Sequence, residues 1–319
     1  MDTLIDWFGH WQDALFEAVV QPLMFHIGLG NRLEDAYGAT GWLLIGLVQL
    51  AVMLALIEPL QRWRPVEAPM RRAVAVDVLY TLIHRLGVFR LVFFFTLEPA
   101  LEALMGAWRG AGFGTFHLDN LWPGVTDRAW VSFVLYLIVF DFINYWLHRA
   151  QHQWAWWWAL HAVHHSQRHM TQWSDNRNHL LDDVLQAVIW VWVAQLIGVA
   201  PGQFVAVVAV TQLSENFQHA NLRCGFGLLG ERLWVSPRFH RTHHAIGIGH
   251  EGPQGVLGGH NFGVLLPWWD MVFGTADFRR GYEATGIRDQ VEQGRDYGQG
   301  FWAQQRLGLH RWWSALRPH

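Results

Sequence analysis

The stretch AWVSFVLYLIVFDFINYWLHRAQH, residues 129–152, decides how this chain is read. Residues 129–147 are a largely apolar run whose one ionisable group is Asp141, long enough as one helix to cross a bilayer. The run ends directly on His148, and His152 follows one helical turn later on the same face. HAVHH at 161–165 repeats that spacing with His161, His164 and His165, and HRTHH at 240–244 repeats it again with His240, His243 and His244. Thirteen of the nineteen histidines fall between 148 and 260, which chance packing does not explain. Imidazole nitrogen suits iron, copper, zinc and nickel. One zinc takes four ligands, so eight or more clustered imidazoles point to two metal ions. The motif therefore reads as a two-metal site where a membrane helix meets water.

Composition agrees with a membrane setting. Apolar residues make up 52% and charged residues 15%, against roughly 45–50% and 25% in soluble domains. Twenty-one tryptophans fit chains that meet membrane interfaces. A net charge of −3 with scattered basic residues argues against nucleic acid as a partner, and a single cysteine, Cys224, rules out an intrachain disulfide or thiolate cluster. The first residues lack a basic secretory n-region, so insertion is expected to use internal apolar segments.

Outward from the central stretch, the chain reads as an all-α integral membrane protein with roughly four to five membrane helices and a histidine-rich cytoplasmic cap. Residues 3–20 place Leu4, Trp7, Phe8, Trp11, Leu15 and Val19 at helical spacing, an interfacial or ordinary surface helix ending before Pro22. Residues 41–60 form a first span, followed by Arg62, Arg64, Arg71 and Arg72, which mark the cytoplasmic side. Residues 73–101 make a second, broken span, because Asp77, His84, Arg85 and Arg90 interrupt it and should face the bundle interior. Residues 106–127 read as a loop. Runs at 184–199 and 203–217, split by Ala200-Pro201-Gly202, form a hairpin that returns His219 to the side of His148. The chain is multi-pass on this reading, with the histidine boxes cytoplasmic. Three parts follow: membrane spans at 1–128, the histidine-box catalytic domain at 129–276, and a tail at 277–319.

His219 and His179 are further candidate ligands, each at one end of the hairpin. Asp141, two turns before His148, and Glu215, one turn before His219, are candidates for orienting ligating imidazoles. His169, His250 and His260 read as supporting or structural residues. Lone histidines such as His10, His26, His117, His310 and His319 carry no functional reading. Trp154, Trp156, Trp157 and Trp158 read as an interfacial belt or as the entrance for a lipid tail.

DFINYWLHR at 141–149, HAVHHS at 161–166 and PRFHRTHH at 237–244 resemble the fatty acid hydroxylase/sterol desaturase superfamily of membrane proteins. Asn261-Phe262-Gly263 and WDMVFGT at 269–275 are similar to that family's closing signature. The resemblance covers 129–276, and its box spacing looks most like the alkylglycerol monooxygenase branch. His179 lacks the proline that often follows that point in the family. The resemblance implies a non-haem di-iron oxygenase that hydroxylates or desaturates an unactivated C–H bond of a lipid or sterol-like substrate. By that analogy His148, His152, His161, His164, His165, His240, His243 and His244 are iron ligands, and Asn261 and Asp270 support them. Two iron ions, O2 as co-substrate, and electrons from a separate protein or a diffusible reductant such as a pterin are implied with it. A membrane di-zinc hydrolase and a non-catalytic metal-binding membrane protein are the readings it competes with.

Overall fold

Backbone amides inside lipid must find partners within their own segment, and helices provide them. A computed structural model describes residues 2–68, 71–250 and 257–317, with the side chains of 2–5 and 71–73 left aside. The side chains of Leu4, Arg71 and Arg72, and all of His319, thus lie outside the described residues. Among the described residues no strand forms; one antiparallel bridge joins Ala245 to Thr285.

Helix α1 (Asp2–Leu15) runs through a π-helical stretch, Phe16–Val20, into α2 (Gln21–His26). The helix does not stop before Pro22, as the sequence suggested. Pro22 sits in the first turn of α2, and the widened turn before it absorbs the missing amide. The first span is longer than 41–60. Helices α3 (Leu33–Val52) and α4 (Glu58–Trp63), joined by a second π stretch at Met53–Ile57, form one apolar rod from Gly30 to Trp63. The expected broken span is α5 (Arg71–Arg85) and α6 (Val88–Thr96), bent by 51°. Gly87 takes the left-handed backbone at that bend, with φ 76°. Helix α7 (Glu98–Gly110) occupies the first residues of the anticipated loop at 106–127. Helix α8 (Ala129–Gln153) is the central span, and α9 (Ala155–His165) follows after one residue.

The hairpin is present as α10 (Leu180–Leu196) and α11 (Pro201–His219). Neither arm is by itself long and apolar enough to cross a membrane. Among the described residues two helices meet that condition, or three when the bent pair counts as one. Among the described residues the cap contains four short helices: α12 (Gly227–Gly230), α13 (Pro237–His243), α14 (Trp268–Val272) and α15 (Arg288–Glu292). Helix α16 (Phe301–Leu316) closes the chain.

Asp77, His84 and Arg85 of the second span face inward and are paired, as burial in an apolar setting requires. Asp77 accepts from Arg177 at 2.9 Å and Ser174 at 3.0 Å. Arg85 meets Asn216 at 2.8 Å and Asp175 at 3.5 Å, and His84 meets Asp183 at 3.3 Å. Helices α3 and α5 touch at Gly46, where a Cβ would lie 1.7 Å from the Arg85 carbonyl oxygen. The apolar core joins Tyr136, Leu137 and Phe140 of α8 to Val207 of α11 and to Val264, Leu265 and Leu266.

The last described helix, α16, packs against the rest of the chain. Gln305 of α16 accepts His179 Nε2 on its backbone oxygen at 2.8 Å and Leu180 N on its side chain at 2.9 Å. Tyr80 of α5 donates to Gln304 at 3.0 Å, so α16 clamps α5 to the start of α10.

Candidate metal centre

Helix α8 delivers His148 and His152, α9 delivers His161, His164 and His165, α11 ends on His219, and α13 carries His240 and His243 with His244 at its end. These side chains fall into two groups. His148, His152, His161, His165 and His243 form one; His164, His219, His240 and His244 form the other. In each, one ring nitrogen per residue lies within 4.8 Å of all the others, and every member is buried. The HxxHH spacing accounts for the split. His164 and His165 are neighbours about 100° apart on α9, and they enter different groups, as His243 and His244 do.

Hydrogen bonding alone does not account for the second group. His219 Nε2 lies 3.1 Å from His164 Nε2 and 3.0 Å from His240 Nε2, which is 3.1 Å from His244 Nε2. Each imidazole nitrogen has either one N–H or one lone pair. Four such atoms can form at most two hydrogen bonds, so three close contacts among them leave at least one unexplained. Nitrogens bound to a common ion at about 2.0–2.1 Å lie about 3 Å apart when adjacent. In the first group His243 Nε2 and His165 Nε2 stand 3.2 Å apart, and neither nitrogen of His152 nor Nε2 of His161 has a hydrogen-bond partner among the described residues. Orphaned nitrogens converging in a buried space are what a bound cation would satisfy. The donor set fits one metal ion per group.

Four rings are fixed from behind. His148 Nδ1 donates to the Phe262 carbonyl at 2.9 Å, and His243 Nδ1 to the His260 carbonyl at 2.8 Å. His161 Nδ1 donates to Asp182 at 3.1 Å, and His219 Nδ1 to the Glu215 carbonyl at 2.8 Å. Each bond selects the tautomer whose Nε2 lone pair faces the group. Burial, reinforced by neighbouring imidazoles, holds His164, His165, His240, His243 and His244 well below the usual histidine range. These rings are neutral at pH 7 and available as donors to a metal.

Of the ten histidines singled out from sequence, nine meet in these groups, and His179 does not. It caps α10, with Nδ1 accepting Leu181 N at 3.1 Å and Nε2 donating to Gln305. Asp141 does not touch His148. Its carboxylate accepts Leu265 N at 2.7 Å, Leu266 N at 3.1 Å and Trp269 Nε1 at 2.9 Å. Asp270 likewise accepts Phe262 N at 2.9 Å, Gly263 N at 2.7 Å and Thr275 Oγ1 at 2.6 Å. Asn261 holds a left-handed backbone, φ 61°, and ties Phe239 to Asp277 through its amide. The closing signature is thus a brace that aims the carbonyls of His260 and Phe262 at two imidazoles. Glu215 contributes its backbone oxygen to His219.

The sequence reading missed Asp182, which accepts from Gln151 at 2.8 Å, Trp157 at 2.7 Å and His161. An acidic pair opening the apolar run of α10 was the available signal. It also missed Asp175, 3.6 Å from His219 Nδ1. The tryptophan run divides: Trp157 is buried on Asp182, Trp158 lies against His152 at 5.1 Å, and Trp154 is exposed. The spacing GxGxxG occurs at 225–230 and 247–252, but neither follows a strand, so neither carries a dinucleotide fold.

Residues 133–275 match the model of the fatty acid hydroxylase family. The chain is 24% identical over 273 residues to ornithine lipid hydroxylase OlsE of Rhizobium tropici, covering 81% of this chain and 76% of that protein. It is 25% identical over 190 residues to alkylglycerol monooxygenase of Caenorhabditis elegans, 60% of this chain and 34% of that one. The alkylglycerol monooxygenase of Danio rerio is 29% identical over 149 residues, 47% of this chain and 31% of that one. This chain spans about a third of the length of those two monooxygenases. No solved structure matches. Through residues 133–275 the chain thus resembles the fatty acid hydroxylase family, and among its described residues two helices, or three with the bent pair, are long and apolar enough to cross a membrane.

Proposed function

We propose that this chain is an O2-dependent hydroxylase of a membrane lipid, with one iron ion held by His148, His152, His161, His165 and His243 and a second by His164, His219, His240 and His244. One observation carries the reading: nine buried imidazoles whose nitrogens outnumber the hydrogen bonds available to them. Two irons held there would supply the redox chemistry that O2 activation and attack on an unactivated C–H bond require.

The chain's own residues do the rest. The carbonyls of Phe262, His260 and Glu215 and the Asp182 carboxylate orient four rings, so little ordering remains when metal binds. Phe262 and Trp158, with ring centres 5.3 Å and 5.1 Å from His152, keep water from that side of the first group. Residues 129–276 form the catalytic part on this reading, residues 1–128 its membrane platform, and 277–319 a clamp between α5 and the start of α10. The histidine groups lie at the cytoplasmic end of α8, where a lipid tail can enter laterally. Electrons come from a separate donor, either a protein or a diffusible reductant. The relatives' names support a lipid with a polar head as the substrate class.

Cells expressing the wild-type chain under 18O2 are expected to gain a lipid species heavier by one labelled oxygen. Cells expressing His164→Ala should lack it. The same species from both, or one without label, contradicts the proposal.

A further inference from the structure

Beside Arg241 of the HRTHH stretch lies a cavity of about 290 Å³ whose lining includes Arg168, Arg223, Arg241, His169, Glu67 and Tyr282. Three guanidiniums and one carboxylate leave a surplus of two positive charges. Arg241 is the built part of the site. Its side chain is only 3% exposed, Nε donates to the Glu283 carbonyl at 2.9 Å, and Nη2 pairs with Glu67. Its Nη1 is buried with no hydrogen-bond partner among the described residues. Buried guanidinium N–H groups are rarely left unpaired, and the group they suit best is a carboxylate or phosphate oxygen.

Arg223 is held in place for the same task. Its Nε donates to the Pro65 carbonyl and its Nη2 to the Val66 carbonyl, both at 3.1 Å. Its guanidinium lies 5.7 Å from the Tyr282 ring centre. Arg168 is exposed at the rim, and His169 Nδ1 donates to Glu67 at 3.1 Å. Glu67 therefore has one oxygen on Arg241 and the other on His169, which leaves the remaining donors to a ligand.

A second cavity, of about 570 Å³, shares Glu67 and His169 with the first. Its wall is largely apolar, from Val74, Ala75 and Val78 of α5 and from Met170 and Trp173. A basic cavity opening beside an apolar one has the polarity of an amphiphile.

We infer that the two cavities together bind a lipid with a net negative headgroup, its phosphate or carboxylate on Arg168, Arg223 and Arg241 and its apolar part along α5. None of the nine clustered histidines lines either cavity, so binding there is measured apart from the metal chemistry. A free anion shares the headgroup's chemistry, and the test separates the two.

Binding is measured on the full chain in detergent, metal-loaded and metal-free, with dihexanoyl phosphatidate below its micellar concentration. Dihexanoyl phosphatidylcholine and inorganic phosphate are the comparison probes. Phosphatidate is expected to bind at least ten-fold tighter than either, whether or not metal is present. Arg241→Gln should weaken it ten-fold or more. Arg168→Gln, at an exposed position, should weaken it several-fold without changing the melting temperature, and Arg223→Gln should also weaken it several-fold. Equal affinity for the two lipids, or binding indifferent to Arg168→Gln and Arg223→Gln, overturns the inference. Inorganic phosphate binding as tightly as phosphatidate overturns the lipid and leaves an anion site.

Discussion

Asp182 is the residue on which the first histidine group leans. Its two oxygens accept from Gln151, Trp157 and His161, and it is fully buried. Asp182→Asn would place an amide N–H against donors and release the His161 ring. Loss of such a supporting partner typically costs about 10–100-fold in metal affinity. The expected result is iron occupancy that falls in the first group while the second stays filled, measured by titration with a competing chelator. Unchanged iron affinity would remove Asp182 from the account. His179 makes a different prediction. Burial lowers its pKa, and Nδ1 must stay unprotonated to cap Leu181. An unfolded histidine titrates at about 6.5, so as pH falls below that value the unfolded state takes up a proton first and stability declines. The melting temperature of wild type should drop between pH 6.5 and the lower folded-state pKa. His179→Asn, which retains a capping acceptor, should show a shallower drop; identical pH profiles would contradict the assignment.

Two elements depend on close backbone approach. Gly46 lets α3 lie on α5, and Gly46→Ala puts a methyl 1.7 Å from a carbonyl oxygen that belongs to the helix itself. The helices must separate, a change expected to cost at least about 1–3 kcal/mol by the usual scale of overpacking. Thermal unfolding in detergent reads it directly, and an unaltered melting temperature would show that the two helices do not pack this tightly. The closing turn from Asn261 to Thr275 is the second element. Asp270→Ala leaves the Phe262 and Gly263 amides buried without acceptors, at about 1–3 kcal/mol each. It should also loosen His148, lowering iron content along with stability. The boxes themselves were legible in the sequence because i, i+3, i+4 spacing on a helix is a local pattern. The partners behind the rings were not. Phe262 O lies 114 positions from His148, and Asp182 lies 21 from His161, so no periodicity could pair them. Asp141 was legible as an inward polar residue, but its true partners are amides more than a hundred residues away. Pro22 misled because a π turn, which the sequence does not announce, lets the helix continue.

At the scale of the whole molecule, the long rod from Gly30 to Trp63, the bent pair α5–α6, and α8 are the helices able to cross a membrane among the described residues. Arg223 N donates to the Arg64 carbonyl at 2.8 Å, which ties the cap to the end of the first span. The lone cysteine makes this testable. With Cys224→Ala as background, Leu229→Cys places a thiol at a position 79% exposed on the cap. A membrane-impermeant maleimide should leave it unlabelled in intact cells and label it in inside-out vesicles; the reverse pattern puts the cap outside. The broken span and the hairpin were foreseen from charge placement and from Ala200-Pro201-Gly202. The role of residues 277–319 was not, because α16 contacts α5 and the start of α10 across more than a hundred residues. The most direct test of the two-group centre is metal content per chain in purified wild type, His152→Ala and His164→Ala, each paired with O2 consumption. Two irons in wild type, one in each variant, and no O2-dependent activity in either variant are predicted. Stoichiometric zinc with activity retained in the absence of O2, or a wild type that binds a single ion shared by both groups, would contradict it.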